Sequence, residues 1–225
     1  MAGRSRNSSS RADVGRAIYR RRADGVGGEE ALWTGSQHTH VDAVTSDGKS
    51  LIVSVASAAS TQFDLMRLAI DGSDRTLQPL IQTPFSESGA SLSPDGRAMA
   101  YVSTESGRRE VYVRAFPSLE NKTQVSTAGG AEPVWARRGG ELYFVSPKFV
   151  MAVPVQTGST IAVGTVRSLF EYRYYTKGAG RTTYDVARDG RFLMVKEQPQ
   201  AGAQAGSEPF QVVLNWFEEL NAMLK

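Results

Sequence analysis

The sequence predicts an all-β protein built from repeated four-stranded sheets, and three observations support this prediction. A short turn phrase recurs along the 225 residues, with glycines at positions 48, 96, 140 and 190. Asp-Gly pairs in this phrase favour tight hairpin turns. Each copy is followed by alternating apolar residues, which is typical of strands with two distinct faces. A period of about 40–50 residues that contains several short strands indicates the blades of a β-propeller.

The four copies of the turn differ in how well they keep its chemistry. The complete copies are residues 46–49 (SDGK), 93–97 (SPDGR) and 187–191 (ARDGR), and the degenerate copy is residues 137–141 (RRGGE). In the degenerate copy we expect Gly139 to replace the turn aspartate and Gly140 to serve as the turn glycine. This alignment places Trp135 at the position of Ala43, Ser91 and Asp185.

We expect four blades plus a half-blade over residues 16–216. The half-blade comes first, because residues 18–25 repeat the pattern of residues 65–72 but lack an inner half. The next three blades begin near residues 39, 88 and 132. The last blade has strands near residues 182–187, 192–196 and 210–214.

The two chain ends compete for one position in the ring. Residues 18–22 and 210–214 are both candidates for the same sheet edge, so we expect an incomplete or open ring. An exposed strand edge offers unpaired backbone groups to other chains. We therefore expect the isolated chain to self-associate through this edge.

The termini lie outside the repeats. Residues 1–25 contain seven arginines and two aspartates, whereas the remainder has 19 basic and 21 acidic residues. We interpret residues 1–15 as a disordered basic tail and expect no nucleic-acid partner. Apolar residues recur at helical spacing near the C-terminus, which predicts a helix over residues 217–225. Because so short a helix is not stable alone, we expect it to dock on the propeller.

Composition excludes several kinds of site. The chain has no cysteine, which rules out disulfides, thiolate metal sites and cysteine nucleophiles. It contains no apolar run of about 18 residues, so we expect no transmembrane segment in this chain. The polar, arginine-rich N-terminus is unlike a signal peptide, and the sequence leaves the compartment open.

Three segments resemble a known repeat. Residues 93–103 (SPDGRAMAYVS), followed by 110–113 (EVYV) and 132–135 (EPVW), resemble the TolB-type, WD40-like propeller repeat. Residues 212–220 (VVLNWFEEL) resemble the C-terminus of the propeller region of bacterial transmembrane serine/threonine kinases. The resemblance implies a β-propeller, usually of six blades. An extracytoplasmic location follows if the chain derives from such a kinase.

Catalytic motifs of the relevant enzymes are missing. The sequence has no His-Arg-Asp or Asp-Phe-Gly motif of kinases and no Gly-x-Ser-x-Gly motif of serine hydrolases. Residues 48–50 resemble the end of a phosphate-binding loop, but Ala43 stands where that loop needs its first glycine. We therefore expect no enzyme and no cofactor.

Two polar groups of residues are candidates for partner binding. His38, His40 and Asp42 alternate along an extended segment that leads into an inner strand, so all three are expected on one face. Three such ligands on one face are one route to a metal enzyme. We interpret them instead as loop residues without a metal, because the third and fourth ligands are not secure. The second group, Tyr174, Tyr175 and Arg181, mixes aromatic and basic side chains in one loop.

The sequence leaves the functional choice open between two hypotheses besides the metal enzyme. The first is a non-catalytic β-propeller module that binds a protein or peptide. The alternative is a ligand-sensing or regulatory propeller fragment of a bacterial membrane serine/threonine kinase.

Overall fold

The computed structural model describes residues 16–56, 62–158, 160–172 and 182–195. These residues form antiparallel β-strands and no helix, so the described part holds no helix that could span a membrane. The strands are β1 (Arg16–Arg20), β2 (Glu30–Gly35), β3 (Thr39–Val44), β4 (Ser50–Ala56), β5 (Phe63–Ala69), β6 (Leu77–Ile81), β7 (Glu87–Leu92), β8 (Ala98–Ser103), β9 (Glu110–Ala115), β10 (Thr123–Gln124), β11 (Ala131–Trp135), β12 (Glu141–Val145), β13 (Phe149–Gln156), β14 (Ala162–Val163), β15 (Arg167–Glu171), β16 (Tyr184–Val186) and β17 (Phe192–Met194).

The strands form successive antiparallel sheets in chain order. β1 pairs with β2, and the next two sheets run β3-β4-β5-β6 and β7-β8-β9-β10. In the following sheet, β11, β12 and β13 are consecutive, and β14 and β15 pair with different parts of the same β13 edge. β16 pairs with β17. Each first strand contacts the first strand of the next sheet, in the order β3, β7, β11 and β16. This arrangement confirms the predicted all-β propeller architecture.

Some predictions fall on residues that the structure does not describe. The tail over residues 1–15, the strand over 210–214 and the helix over 217–225 all lie outside the described residues. Among the described strands, β1 pairs only with β2, and no ladder joins that hairpin to β16 or β17. The described strands therefore do not close a ring by strand pairing.

The hydrophobic core consists of layers between neighbouring sheets. In β4, Leu51 and Val53 pack against Ile18 and Leu32 of the β1–β2 hairpin, whereas Ile52 packs in the layer towards the next sheet. The side chains of β4 alternate between two faces, and both faces are buried. Burial of both faces is what a blade between two neighbours requires.

The later layers repeat this plan. One layer joins β8 and β9 to the sheet that contains Trp135, Leu142 and Phe144. The last described layer joins Tyr143 and Val145 to β16, including Tyr184. Each blade is thus stabilised mainly by the blades beside it.

The recurring turn is stabilised by its own side chains. Asp47 accepts hydrogen bonds from the Thr45 hydroxyl at 2.6 Å and from the Lys49 amide at 3.0 Å. In the second copy, Asp95 accepts the same two bonds from Ser93 and Arg97. The glycine after each aspartate has a φ of +69°, a conformation that glycine adopts without steric cost.

The degenerate third turn has a register one residue different from the predicted one. The Gly139 amide donates to the Ala136 carbonyl at 2.8 Å, as the Gly48 amide donates to Thr45. Gly139 is therefore the turn glycine, and Arg138 occupies the aspartate position. The same shift aligns Trp135 with Val44, Leu92 and Val186 instead of Ala43, Ser91 and Asp185.

We predict that Gly96→Ala destabilises the chain more than Gly48→Ala. Both glycines have the same positive φ, so both substitutions carry a backbone cost of about 1–2 kcal/mol. A Cβ at Gly96 would also lie 2.5 Å from Ser46 Oγ and 3.1 Å from Ser46 Cβ, whereas one at Gly48 meets nothing within 4 Å. Urea unfolding of both variants measures the difference. Equal destabilisation would contradict the close contact between the first and second turns.

Candidate functional site

A cavity of about 500 Å³ lies among the first strands of different blades. It is lined by Thr39, His40, Val41 and Asp42 of β3, by Gly89 and Ala90 of β7, and by Thr182 just before β16. Ser54 lies behind Asp42 on β4, within hydrogen-bond distance. Inner strands of a propeller surround its central channel. We call this space the channel cavity.

Asp42 is the acidic residue that lines the channel cavity. Its carboxylate accepts a hydrogen bond from the Ser54 hydroxyl at 2.5 Å and faces the amides of Ala90 and Gly89. Burial raises the pKa of Asp42 to about 7, although these hydrogen bonds act in the opposite direction. A carboxyl group with this pKa exists in both protonation states near neutral pH, so it can donate or accept a hydrogen bond there.

A β-bulge gives Asp42 its position. Val41 pairs with Val53 and Ala43 pairs with Ile52, so Asp42 is an extra residue that has no backbone pairing partner on β4. The bulge changes the simple alternation of side chains along the strand. Asp42 consequently bonds to β7 across the boundary between two blades.

The two histidines form an aromatic group beside the channel cavity. The ring centroids of His38 and His40 are 4.5 Å apart, and the His40 ring stacks on Phe63 at 5.8 Å. Only His40 of this pair lines the cavity. In the described part of the chain, no group of three or more His, Asp or Glu side chains is arranged to hold a metal ion. His40 and Asp42 both line the cavity, and the expectation that these residues hold no metal stays a prediction.

A second carboxylate links inner strands in the same manner. Glu132 occupies the bulge of β11, with a φ of +55°. Its Oε2 accepts hydrogen bonds from the Thr183 amide at 2.7 Å and the Thr183 hydroxyl at 2.8 Å. In β7 the bulge holds Gly89 instead, with a φ of +65° and no side chain. The bulge residues Asp42 and Glu132 therefore form hydrogen bonds to a neighbouring blade, whereas Gly89, without a side chain, leaves space there.

The other predicted group lies entirely outside the described residues. Tyr174, Tyr175 and Arg181 lie outside the described residues, so their role in binding stays a prediction. Their neighbours Tyr172 and Tyr184 belong to the packing layer between the last two sheets. Burial raises the pKa of Tyr184 well above its usual value, and its hydroxyl donates to the Glu132 carbonyl at 2.9 Å. These two tyrosines are structural.

Sequence reasoning misses several residues of the channel cavity. Gly89, Ala90 and Thr182 line it, and Ser54 fixes Asp42, but none of them belongs to a recognisable motif. The one signal in the sequence is Gly89, because a glycine within a strand pattern indicates a bulge or a close approach.

Solved structures identify the fold, whereas no family model and no curated protein matches the sequence. TolB from Acinetobacter baumannii is similar with a TM-score of 0.55 and 16% identity, over 83% of this chain and 44% of that chain. An oligogalacturonate lyase in complex with manganese is similar with a TM-score of 0.54 and 14% identity, over 76% of this chain and 48% of that chain. A puromycin-hydrolyzing peptidase from Mycobacterium tuberculosis is similar with a TM-score of 0.54 and 17% identity, over 70% of this chain and 28% of that chain.

These similarities show that the chain has a TolB-like β-propeller fold, as its repeats predict. The chain spans less than half the length of each of these three proteins. The similarity to kinase propellers is not shown by them, and it rests on residues 212–220, outside the described residues.

The expectation that the chain is not an enzyme was wrong. It rested on the absence of kinase and serine-hydrolase motifs, yet the same fold occurs in a lyase and a peptidase. The missing motifs argue against two particular chemistries and do not separate this chain from catalytic propeller proteins.

We predict that Asp42→Asn removes a pH-dependent destabilisation. The folded chain holds a proton on Asp42 up to about pH 7, whereas the unfolded chain releases it near its ordinary pKa of 3.8. The free energy of unfolding therefore falls as the pH rises between these values. The variant should lack this fall and be more stable than the parent at pH 8 by at least about 1 kcal/mol.

Urea unfolding at several pH values between about 4 and 8 measures this effect. Asp71→Asn is the matched control, because Asp71 is an exposed turn residue away from the cavity. Parallel stability profiles of the parent and Asp42→Asn would contradict the raised pKa.

Proposed function

We propose that this chain is a β-propeller module that binds a protein or peptide partner in the channel cavity. The observation that carries the proposal is the cavity itself, which lies among the inner strands of different blades. Concave sites with a few convergent polar groups are where proteins most often bind ligands.

The chemistry of the lining suits a peptide. Asp42 offers a carboxyl group, Thr39 a hydroxyl and His40 an imidazole, and Val41 adds an exposed apolar side chain. A peptide backbone presents both donors and acceptors, so it can pair with such a mixed set. Because burial brings the pKa of Asp42 to about 7, the affinity should change with pH near neutrality.

A random peptide library displayed on phage, selected against the purified chain, supplies probes for a test. The affinity of each selected peptide is then measured by calorimetry for the parent, Asp42→Asn and Asp71→Asn. We expect Asp42→Asn to change the affinity by about tenfold, since a hydrogen bond to a charged group is altered, and Asp71→Asn to leave it unchanged.

Two results would contradict the proposal. One is that no selected peptide binds the folded chain. The other is that every peptide binds Asp42→Asn and His40→Ala as tightly as the parent, which would place recognition elsewhere.

A ligand-sensing role as part of a bacterial membrane kinase is the second candidate. The specific observation is the resemblance of residues 212–220 to the end of kinase propeller regions. In that case we propose an extracytoplasmic location. Sequencing the gene region upstream tests this candidate, because a kinase domain and a membrane span in the same reading frame would support it, and a separate reading frame would contradict it.

A further inference from the structure

The third turn lacks the acceptor that the other three copies supply to themselves. In those copies the aspartate carboxylate accepts the amide two residues later: Lys49 to Asp47 at 3.0 Å, Arg97 to Asp95 at 3.1 Å and Arg191 to Asp189 at 3.2 Å. In three copies this turn amide therefore holds the carboxylate of its own turn aspartate.

In the third turn the same position carries a cation. Arg138 stands where the aspartate would be, and Gly140 holds the position of Lys49 and Arg97. No acceptor for the Gly140 amide exists in the part of the chain that the structure describes. Ala136 replaces the turn hydroxyl of Thr45, so the Glu141 amide also lacks the partner that Ser50 has.

The free amide borders a cavity of about 330 Å³ between the second and third turns. Its walls include Pro94, Trp135, Arg138, Gly140 and Thr157. Gly139 and Gly140 have φ values of +75° and +78°, and a Cβ on either would meet nothing within 4 Å, so the space beside them is open.

Arg138 has no counter-ion within the described residues. Its side chain is exposed, and no carboxylate of that part of the chain lies within 4 Å of it. Asp95 also lines the cavity, but both of its oxygens already accept hydrogen bonds, from Ser93 and Arg97 on one side and from Thr157 at 2.6 Å on the other.

We propose that the third turn binds a carboxylate group of a peptide partner, either an acidic side chain or a free C-terminus. The Gly140 amide takes the place of the amides that hold Asp47 and Asp95, and the Arg138 guanidinium adds a charge-assisted hydrogen bond. This site shares no lining residue with the channel cavity and goes beyond the function proposed above.

The Arg138→Asp variant tests the proposal, because it converts the third turn to the Ala-Arg-Asp-Gly sequence of the fourth. The new aspartate should occupy the receptor internally. Amide NMR signals of Gly139 and Gly140 are followed while three pentapeptides are added: one with a free C-terminus, its C-terminal amide, and an amidated peptide with one central aspartate. Inorganic phosphate serves as a fourth probe.

We expect at least one carboxylate peptide to shift the Gly140 signal of the parent, and the peptide with a C-terminal amide and no carboxylate to shift nothing. Arg138→Asp should weaken that binding at least about tenfold and raise the melting temperature by about 2–4 °C, because the free amide gains an acceptor. Arg188→Gln, which removes a similar exposed charge from the fourth turn, should bind like the parent.

The peptide that binds distinguishes a C-terminus from an acidic side chain. The proposal is overturned if no carboxylate peptide moves the Gly140 signal, or if Arg138→Asp binds as well as the parent. It is also overturned if phosphate binds more tightly than every peptide, or if Arg138→Asp melts no higher than the parent.

Discussion

Trp135→Ala should lower the free energy of unfolding by about 3–5 kcal/mol, more than any of the turn or carboxyl substitutions. Trp135 is 4% exposed and lies in the layer between the second and third full blades. Its indole Nε1 donates a hydrogen bond to the Ser91 carbonyl of β7 at 3.0 Å. The substitution therefore removes both packing and a bond between two blades.

Trp135→Phe separates these contributions. It keeps most of the apolar volume and loses the indole donor, so we expect a loss of about 1–2 kcal/mol. Trp33→Phe is the control, because Trp33 is a half-buried residue of the first hairpin. It should lower the free energy of unfolding by less than Trp135→Phe does. Urea unfolding followed by far-ultraviolet circular dichroism measures the free energy of unfolding of Trp135→Ala, Trp135→Phe and Trp33→Phe. A cost below about 1 kcal/mol for Trp135→Ala would contradict the interblade role of this residue.

Two buried glutamates should respond in opposite directions to substitution by glutamine. Glu110 is fully buried and accepts hydrogen bonds from Arg108 Nε at 2.7 Å, from the Gly129 amide at 2.9 Å and from the Ser126 hydroxyl. Burial alone would raise the pKa of Glu110, but these hydrogen bonds outweigh it and lower the pKa.

Glu87 is 1% exposed but has fewer partners. Its Oε1 accepts from Thr83 and Ser103, whereas its Oε2 is buried without a hydrogen bond among the described residues. Burial is the main reason that the pKa of Glu87 is raised. The charged form of Glu87 is thus unfavourable, and that of Glu110 is stabilised.

We expect Glu110→Gln to destabilise the chain by about 2–3 kcal/mol at pH 8, since the three donors lose a charged acceptor and one carboxylate oxygen is replaced by an amide NH2 group. Glu87→Gln should be neutral or stabilising by up to about 1 kcal/mol, because it removes a poorly solvated charge. Urea unfolding at this pH measures both. Similar destabilisation by the two substitutions would show that the difference in hydrogen bonding does not control their stability.

Much of the architecture could be predicted because the repeat carries local chemistry. Asp47 and Asp95 each stabilise their own turn, and the alternation after each turn places two apolar faces on strands such as β4. These signals act within about ten residues and need no knowledge of distant contacts.

The alignment of the third turn from sequence is wrong by one residue for a physical reason. Gly139 and Gly140 are adjacent, and both adopt positive φ, so either could be the turn glycine by sequence. Only the hydrogen bond from the Gly139 amide to Ala136 decides between them. A register of this kind depends on backbone geometry and not on residue type.

The candidate site is less predictable from sequence than the fold. The alternating pattern includes Asp42, but the bulge on β3 and the approach of Asp42 to Gly89 depend on contacts between different blades. Thr182 reaches the same cavity from nearly 100 residues beyond Gly89. Such non-local contacts leave no periodic pattern in the sequence.

Amide hydrogen exchange, measured with and without a selected peptide bound, is the most direct test that the channel cavity is the recognition site. The amides of residues 39–42 and 89–90 should exchange more slowly in the complex, and those of β13 and β15 should exchange at unchanged rates. Protection confined to other segments, such as the third turn at residues 136–141, with residues 39–42 and 89–90 unaffected, would contradict it.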